Sequence, residues 1–229
     1  MNRRPLLRTM RDSSPGLFVK VVPQIQQQKY RLLRSEFRDV GAVRLYRVVA
    51  LRNFGRAGKL VRAGQKGGFV QSWNNLSQQG WAWVDGDAWV DEEAQVVDDA
   101  WVRGRARLSG RAIVADDAVI DDDVIAVGGT WFRGNTRVRG RSWVSTATIT
   151  DSVVTNSEIG DNAKIEGSLV LRSVIGTGSV IRWSEIKDSL IDPSTRIIGR
   201  EISGHNECSA IIAVNKWLAM HTRSGPAAD

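Results

Sequence analysis

The chain is poor in the residue types on which most catalytic and metal chemistry depends. Among its 229 residues there are one cysteine, Cys208, and two histidines, His205 and His221. One cysteine rules out an intrachain disulfide framework and a cysteine-cluster metal site. No apolar run approaches the roughly 18 residues that a membrane span needs, so no membrane partner is expected. The start, MNRRPLLRTMRDSSPGLFV, has arginines but no continuous apolar core ahead of a small-residue cleavage site. It is not expected to be a secretory signal, and the expected site of synthesis is the cytoplasm.

Acidic residues are nearly missing from the first third. Residues 1–80 carry 16 Lys and Arg against Asp12, Glu36 and Asp39, a net +13, whereas residues 81–229 carry a net −6. A basic head on an acidic body suits nucleic acid, an anionic surface, or the acidic body of another copy.

What the chain has in abundance is a period of six. Ala82, Ala88, Ala94, Ala100, Ala106 and Ala112 are each followed two places on by Val84, Val90, Val96, Val102, Leu108 and Val114. Ala118/Ile120, Thr130/Phe132, Thr136/Val138 and Ser142/Val144 continue the series, and only Val124/Ala126 reverses the sizes. Neither a helix nor an extended strand has this period. Short straight segments joined by corners do, three to a coil, with the aliphatic residue on the axis and the small one beside the corner.

After Val144 the small-x-aliphatic pairs continue from Ala147/Ile149 to Thr195/Ile197, with spacings of five, five and six. The coil therefore shortens from 18 residues to 16 and keeps three inward edges. The fold expected is all-β: a left-handed parallel β-helix of roughly seven coils, with a small amino-terminal β cap and a carboxy-terminal capping helix. The expected divisions are a basic flexible arm at 1–28, the cap at 29–80, the β-helix at 81–204, and a cap helix and tail at 205–229. Within the cap, KYRLLRSEF and AVRLYRVVALRNF read as two strands of a hairpin.

At the 18-residue spacing, outward positions read Asp85, Arg103, Asp121, Arg139 in one column and Asp87, Arg105, Asp123, Arg141 in another. Stacked coils about 4.8 Å apart would place opposite charges side by side and penalise a slipped register.

The segments LYRVVALRNF and GGFVQSWNNLSQQGWAWV, followed by the hexads, resemble a group of bacterial and phage-encoded hexapeptide-repeat proteins with a short β cap. Members carry labels of acetyltransferase or polymer-forming protein. The later IGDNAKIEGSLVLRSVIGTGSVIRWSEIKDSLI is also similar to the β-helical tails of sugar nucleotidyltransferases, which serve assembly and regulation. The resemblance implies, for an acyltransferase, a histidine base in a cleft between subunits, and for some β-helices a three-histidine zinc site. Here there are two histidines, so the three-histidine pattern is absent, and both lie beyond the last hexad, outside the coils where such a base is expected. The weak catalytic candidates are His205 as base with Glu207 orienting it.

The acidic pairs Asp98-Asp99 and Asp116-Asp117 stack like charges at one corner and are weak candidates for a cation site; solvated corners relieved by nearby arginines are the plainer reading. Trp83, Trp89, Trp101, Trp131 and Trp143 each immediately precede an inward residue, so all five are expected to point outward as an interaction surface. Trp83 and Trp101 share one face, Trp89 and Trp143 a second, and Trp131 lies on the third. Arg3, Arg4, Arg8, Arg11, Arg31, Arg34 and Arg38 are the candidate contacts to an anionic partner.

These features lead to the expectation of a non-enzymatic structural or interaction protein with no cofactor. It would self-associate, with a trimer favoured, and dock through its arm to another protein of a larger assembly, such as a phage particle. An acyl-CoA-dependent acyltransferase and an anion or nucleic-acid binder are the competing readings.

Overall fold

The structure is a computed structural model and describes residues 28–56 and 58–204. Arg3, Arg4, Arg8, Arg11, His205, Glu207 and the expected carboxy-terminal helix lie outside the described residues. Apart from one 3-10 turn at Trp73–Asn75, these residues form strands and turns, an all-β parallel solenoid. No helix among them is long and apolar enough to cross a membrane.

The chain opens with β1 (Tyr30–Val40) and β2 (Val43–Ala50), an antiparallel pair in which Tyr30 faces Ala50 and Val40 faces Val43. A second, smaller hairpin joins β3 (Phe54–Arg56) to β4 (Lys59–Val61). Next comes β5 (Lys66–Val70), and strands of two or three residues follow from β6 (Trp83–Val84) to β27 (Glu201–Ser203).

The short strands stack into three parallel faces. The first is a ten-stranded sheet that starts with β1, β2 and β5 and continues through Val90, Leu108, Ala126, Val144, Ile159, Ile175 and Ile191. The second, of eight strands, runs from Val84 and Val102 to Ile202. The third, of seven, runs from Val96 and Val114 to Ile197. The aliphatic member of each pair lies on the axis, and Val84, Val90, Val96, Val102, Leu108 and Val114 are all fully buried. Each coil thus buries its apolar edge only by stacking on its neighbours.

The solenoid starts earlier than Ala82. Val70 is in register with Val90, and Leu76 bridges to Val96, so β5 and the following turn already form two inward edges. The cap is therefore continuous with the first face: β2 is antiparallel to β5, which is in turn parallel to the strand of Val90.

Corners explain both the hexad and its shortening. In an 18-residue coil the small residue closes a turn with its own amide, as Ala94 does to the carbonyl of Asp91 at 3.0 Å and Ala100 to Val97 at 3.2 Å. One corner residue takes a left-handed backbone, such as Gly104 at φ 72° and Asp122 at φ 61°. Glycine adopts this freely, and aspartate and asparagine adopt it more readily than other side chains.

A five-residue edge has one corner residue fewer, and serine takes over. The amides of Ser168, Ser184 and Arg200 donate to the hydroxyls of Ser152, Ser168 and Ser184, at 3.1, 3.1 and 3.2 Å. Ser157, Ser173 and Ser189 form a second column of the same kind on Ser142, Ser157 and Ser173. Where a six-residue edge persists, at Ala163, the amide returns to a turn bond with Gly160.

The outward charge columns form only in part. Arg103 pairs with Asp121 and Arg105 with Asp123, each at 2.7 Å. Asp85 makes no ion pair with Arg103, although its amide donates to the carbonyl of Val102 in correct register. Arg139 turns toward Thr155 and leaves Asp121 to Arg103. Asp87 is taken by Arg38 and Arg47 of the cap, at 3.5 and 3.9 Å. Register rests on the buried ladder, and the charges follow it.

Candidate functional site

The described residues contain neither histidine nor cysteine. Among them no group of three or more histidine, cysteine, aspartate or glutamate side chains is arranged to hold a metal ion. The features available for function are the outer surfaces of the three faces and the charged cap.

On the first face the residues just before the inward positions form one column in register: Phe69, Trp89, Arg107, Ile125, Trp143, Glu158, Val174 and Leu190. At the cap end these rings lie under guanidinium groups. Arg47 and Arg38 sit 4.2 and 4.6 Å from the Phe69 ring centre, and Arg107 sits 4.4 Å from that of Trp89. Beyond Arg107 the column is mainly apolar, with Ile125, Trp143 and Val174 half-buried and Leu190 exposed.

Two of the five expected surface tryptophans are not on the surface. Trp83 is fully buried and Trp101 is 6% exposed. Both project away from the axis, adjacent in register, but the β3–β4 hairpin folds over them. Phe54 meets Trp83 edge-on, with ring centres 5.4 Å apart, and Lys59 lies over the Trp101 ring and reaches the carbonyls of Asp99 and Asp117 at the adjoining corner. The indole of Trp101 donates to the carbonyl of Trp81. Outward direction was legible in the hexad; the cover comes from a distant hairpin that the repeat does not encode. Trp89 and Trp143 are half-buried on the first face, and Trp131 is exposed on the third.

The basic cap is largely engaged with itself. Arg31 and Arg34 are exposed on β1. Arg38 is half-buried against Phe69 and paired with Asp87. Arg44 holds Asp39 through two bonds of 2.7 and 2.9 Å, which keep that carboxyl below the usual range. Glu36 takes Lys66 at 2.6 Å and Arg47 at 3.4 Å. The folded cap therefore offers fewer uncommitted cations than its sequence suggests.

One cation is not on the surface at all. Lys29 is fully buried, and its ammonium donates to the carbonyls of Gln79, Gly80 and Ala82 at 3.0, 3.3 and 3.0 Å. These carbonyls belong to the first turn into the second face, so Lys29 closes the open end of the coil. Burial pushes its pKa down to about 7, with repulsion from Arg52 adding to the shift.

The acidic corner has its own partners. Asp98 accepts from the amide of Asp116 at 3.3 Å, and Asp116 accepts from that of Gly134 at 2.9 Å. Asp99 accepts from the amide of Trp81 at 3.0 Å, and Asp117 pairs with Arg56. Each carboxylate thus ties one coil corner to another or to the cap, which accounts for acids stacked on acids.

No protein-family model matches the chain, and no curated protein matches it.

Proposed function

We propose that this protein is a non-enzymatic structural element, a self-associating β-helix that docks into a larger assembly through the basic arm at 1–28. The observation that carries this reading is the mainly apolar column along the first face, Ile125, Trp143, Val174 and Leu190, with Glu158 as its single charge. Flat apolar strips of this length mark contact surfaces in soluble proteins. The absence of any imidazole between residues 28 and 204 gives the coils no histidine base of the kind used in hexapeptide acyltransferases.

In finer terms the coil winds left-handed, the chain belongs with the capped hexapeptide-repeat proteins it resembles, and three copies pack with their first faces together. A phage particle is the setting that this resemblance suggests. The support is the small-x-aliphatic hexad itself, with a left-handed residue at its corners.

The test is sedimentation equilibrium of the full chain. Three chains of 25.3 kDa are expected for the native protein, and one for Ile125→Arg/Val174→Arg. A native mass of a single chain overturns the reading. Deleting residues 1–28 is expected to leave the trimer intact and to abolish co-purification with the assembly from the native source.

A further inference from the structure

The third face contains a step where the two coil lengths meet. Phe132 lies 18 residues after its partner Val114, but only 17 before its next partner, Ile149. The missing residue comes from the corner. Gly128, Gly129 and Thr130 precede Trp131, whereas only Thr146 and Ala147 precede Thr148, its neighbour in register. Gly129 consequently has nothing stacked on it; a Cβ built there meets no atom within 4 Å. The step leaves a groove of about 390 Å³ beside Trp131.

The groove is lined by chemistry that the fold leaves unused. Trp131 is 36% exposed, and the guanidinium of Arg133 lies 4.1 Å from its ring centre. Among the described residues, Arg133 and Lys164 have no ion-pair partner, and the hydroxyls of Thr148 and Thr150 have no hydrogen-bond partner. Elsewhere on the coils Arg103, Arg105, Arg172 and Arg182 are each paired with a carboxylate, whereas Arg139 turns to a threonine hydroxyl, so the groove is set apart by its two cations lying beside an exposed indole. Asn162 adds an exposed amide at the rim.

We infer that this groove binds an acidic oligosaccharide. The exposed part of an indole accepts the C–H face of a pyranose ring, threonine hydroxyls both donate to and accept from sugar hydroxyls, and two unpaired cations receive a carboxylate or sulfate. The size is that of a small-ligand pocket. A single-stranded nucleic acid fits less well, because it needs cations and stacking rings repeated along its track. The column here reads Gln95, Ile113, Trp131, Thr148, Lys164, Val180 and Arg196, with one ring and no cation between it and the cap end.

The experiment titrates the full chain at physiological salt with galacturonate hexamer, heparin hexasaccharide, maltohexaose and an oligothymidylate. It follows the indole N–H resonance of Trp131, assigned by its loss in Trp131→Ala, and binding heat. The expected result is a shift of that resonance with an acidic hexasaccharide and an affinity about tenfold lower in Trp131→Ala and in Lys164→Gln, each removing roughly 1.4 kcal/mol. Maltohexaose is expected to bind at least tenfold more weakly, and the stronger of the two acids identifies the anion. An unmoved Trp131 resonance at millimolar ligand, equal affinity in Lys164→Gln, or tighter binding of the oligothymidylate at this resonance overturns the inference. Both substitutions lie on the surface, and circular dichroism melting checks that each variant folds.

Discussion

The backbone amide of Ser184 donates to the hydroxyl of Ser168, 3.1 Å away and 16 residues earlier, and that hydroxyl donates to the carbonyl of Glu166 at 2.7 Å. The Glu166 carbonyl also accepts from the amide of Trp183 at 3.0 Å, so the group that depends on this side chain is the Ser184 amide, which a shortened corner would leave without a partner. Buried amides are nearly always paired, and an orphan costs about 1–3 kcal/mol.

Ser168→Ala should accordingly lower stability by about 2 kcal/mol, since the Ser184 amide loses its acceptor. Ala163→Ser, at a six-residue edge whose amide already bonds Gly160, should change stability by less than about 1 kcal/mol. Urea unfolding of the two variants measures both, and equal effects would remove the serine column from the account of the shortened coil.

Gly104 adopts φ 72°, and a Cβ there would lie 2.7 Å from the amide nitrogen of Asp122 and 2.9 Å from its Cα. Gly104→Ala should thus cost the left-handed penalty of about 1–2 kcal/mol plus a displacement of the next coil. Gly58→Ala, with φ 81° and no atom within 4 Å, should cost only the conformational part. The difference between their unfolding free energies reports how tightly corners are stacked.

The folded state lowers the pKa of Lys29 to about 7 from 10.5. Between those values the unfolded chain holds a proton that the folded chain has released, so this group makes stability rise with pH across that window. Lys29→Met should flatten the rise. Comparing urea midpoints of both proteins at pH 7 and pH 9.5 isolates the contribution; parallel pH profiles would show that Lys29 keeps its ordinary value.

Asp91 is 7% exposed, and its Oδ1 has no hydrogen-bond partner. Burial raises its pKa, and a hydrogen bond with Ser109 opposes the rise. Just above the ordinary value of 3.8 the folded chain retains a proton that the unfolded chain has lost, so stability falls as pH increases through the shifted range. Asp91→Asn should therefore stabilise the protein at pH 7 by about 1 kcal/mol, and the gain should vanish below the ordinary value. Thermal melts at pH 7 and pH 3.5 check the sign.

Much of the winding was legible in the chain because each inward pair is local. Ala82 and Val84 state their edge within three residues, and the shift from alanine to serine after Val144 marks the shorter corner. The start of the coil was harder to read, since Val70 and Leu76 are separated from Val84 by the irregular Ser77–Gly80 turn. The burial of Trp83 and Trp101 was not legible, because Phe54 and Lys59 reach them from a different part of the chain. The groove beside Trp131 falls between these cases: the extra Gly129 is visible in the spacing, but the unpaired state of Arg133 and Lys164 requires the neighbouring side chains.

The 16-residue serine column also makes length an adjustable property. Excising residues 168–183 would bring Ser184 to the position of Ser168, above Ser152, with the same donor meeting the same kind of acceptor and every face keeping its residue class. Because each coil touches only its immediate neighbours, such a deletion shortens the rod by one layer and keeps the buried ladder, while at the surface it removes the pairs of Arg172 with Asp188 and of Arg182 with Glu166. The second half of the molecule is in this sense a ruler whose graduations are interchangeable, and lineages could lengthen or trim it by whole units while the cap, the charged corners and the axis stay as they are.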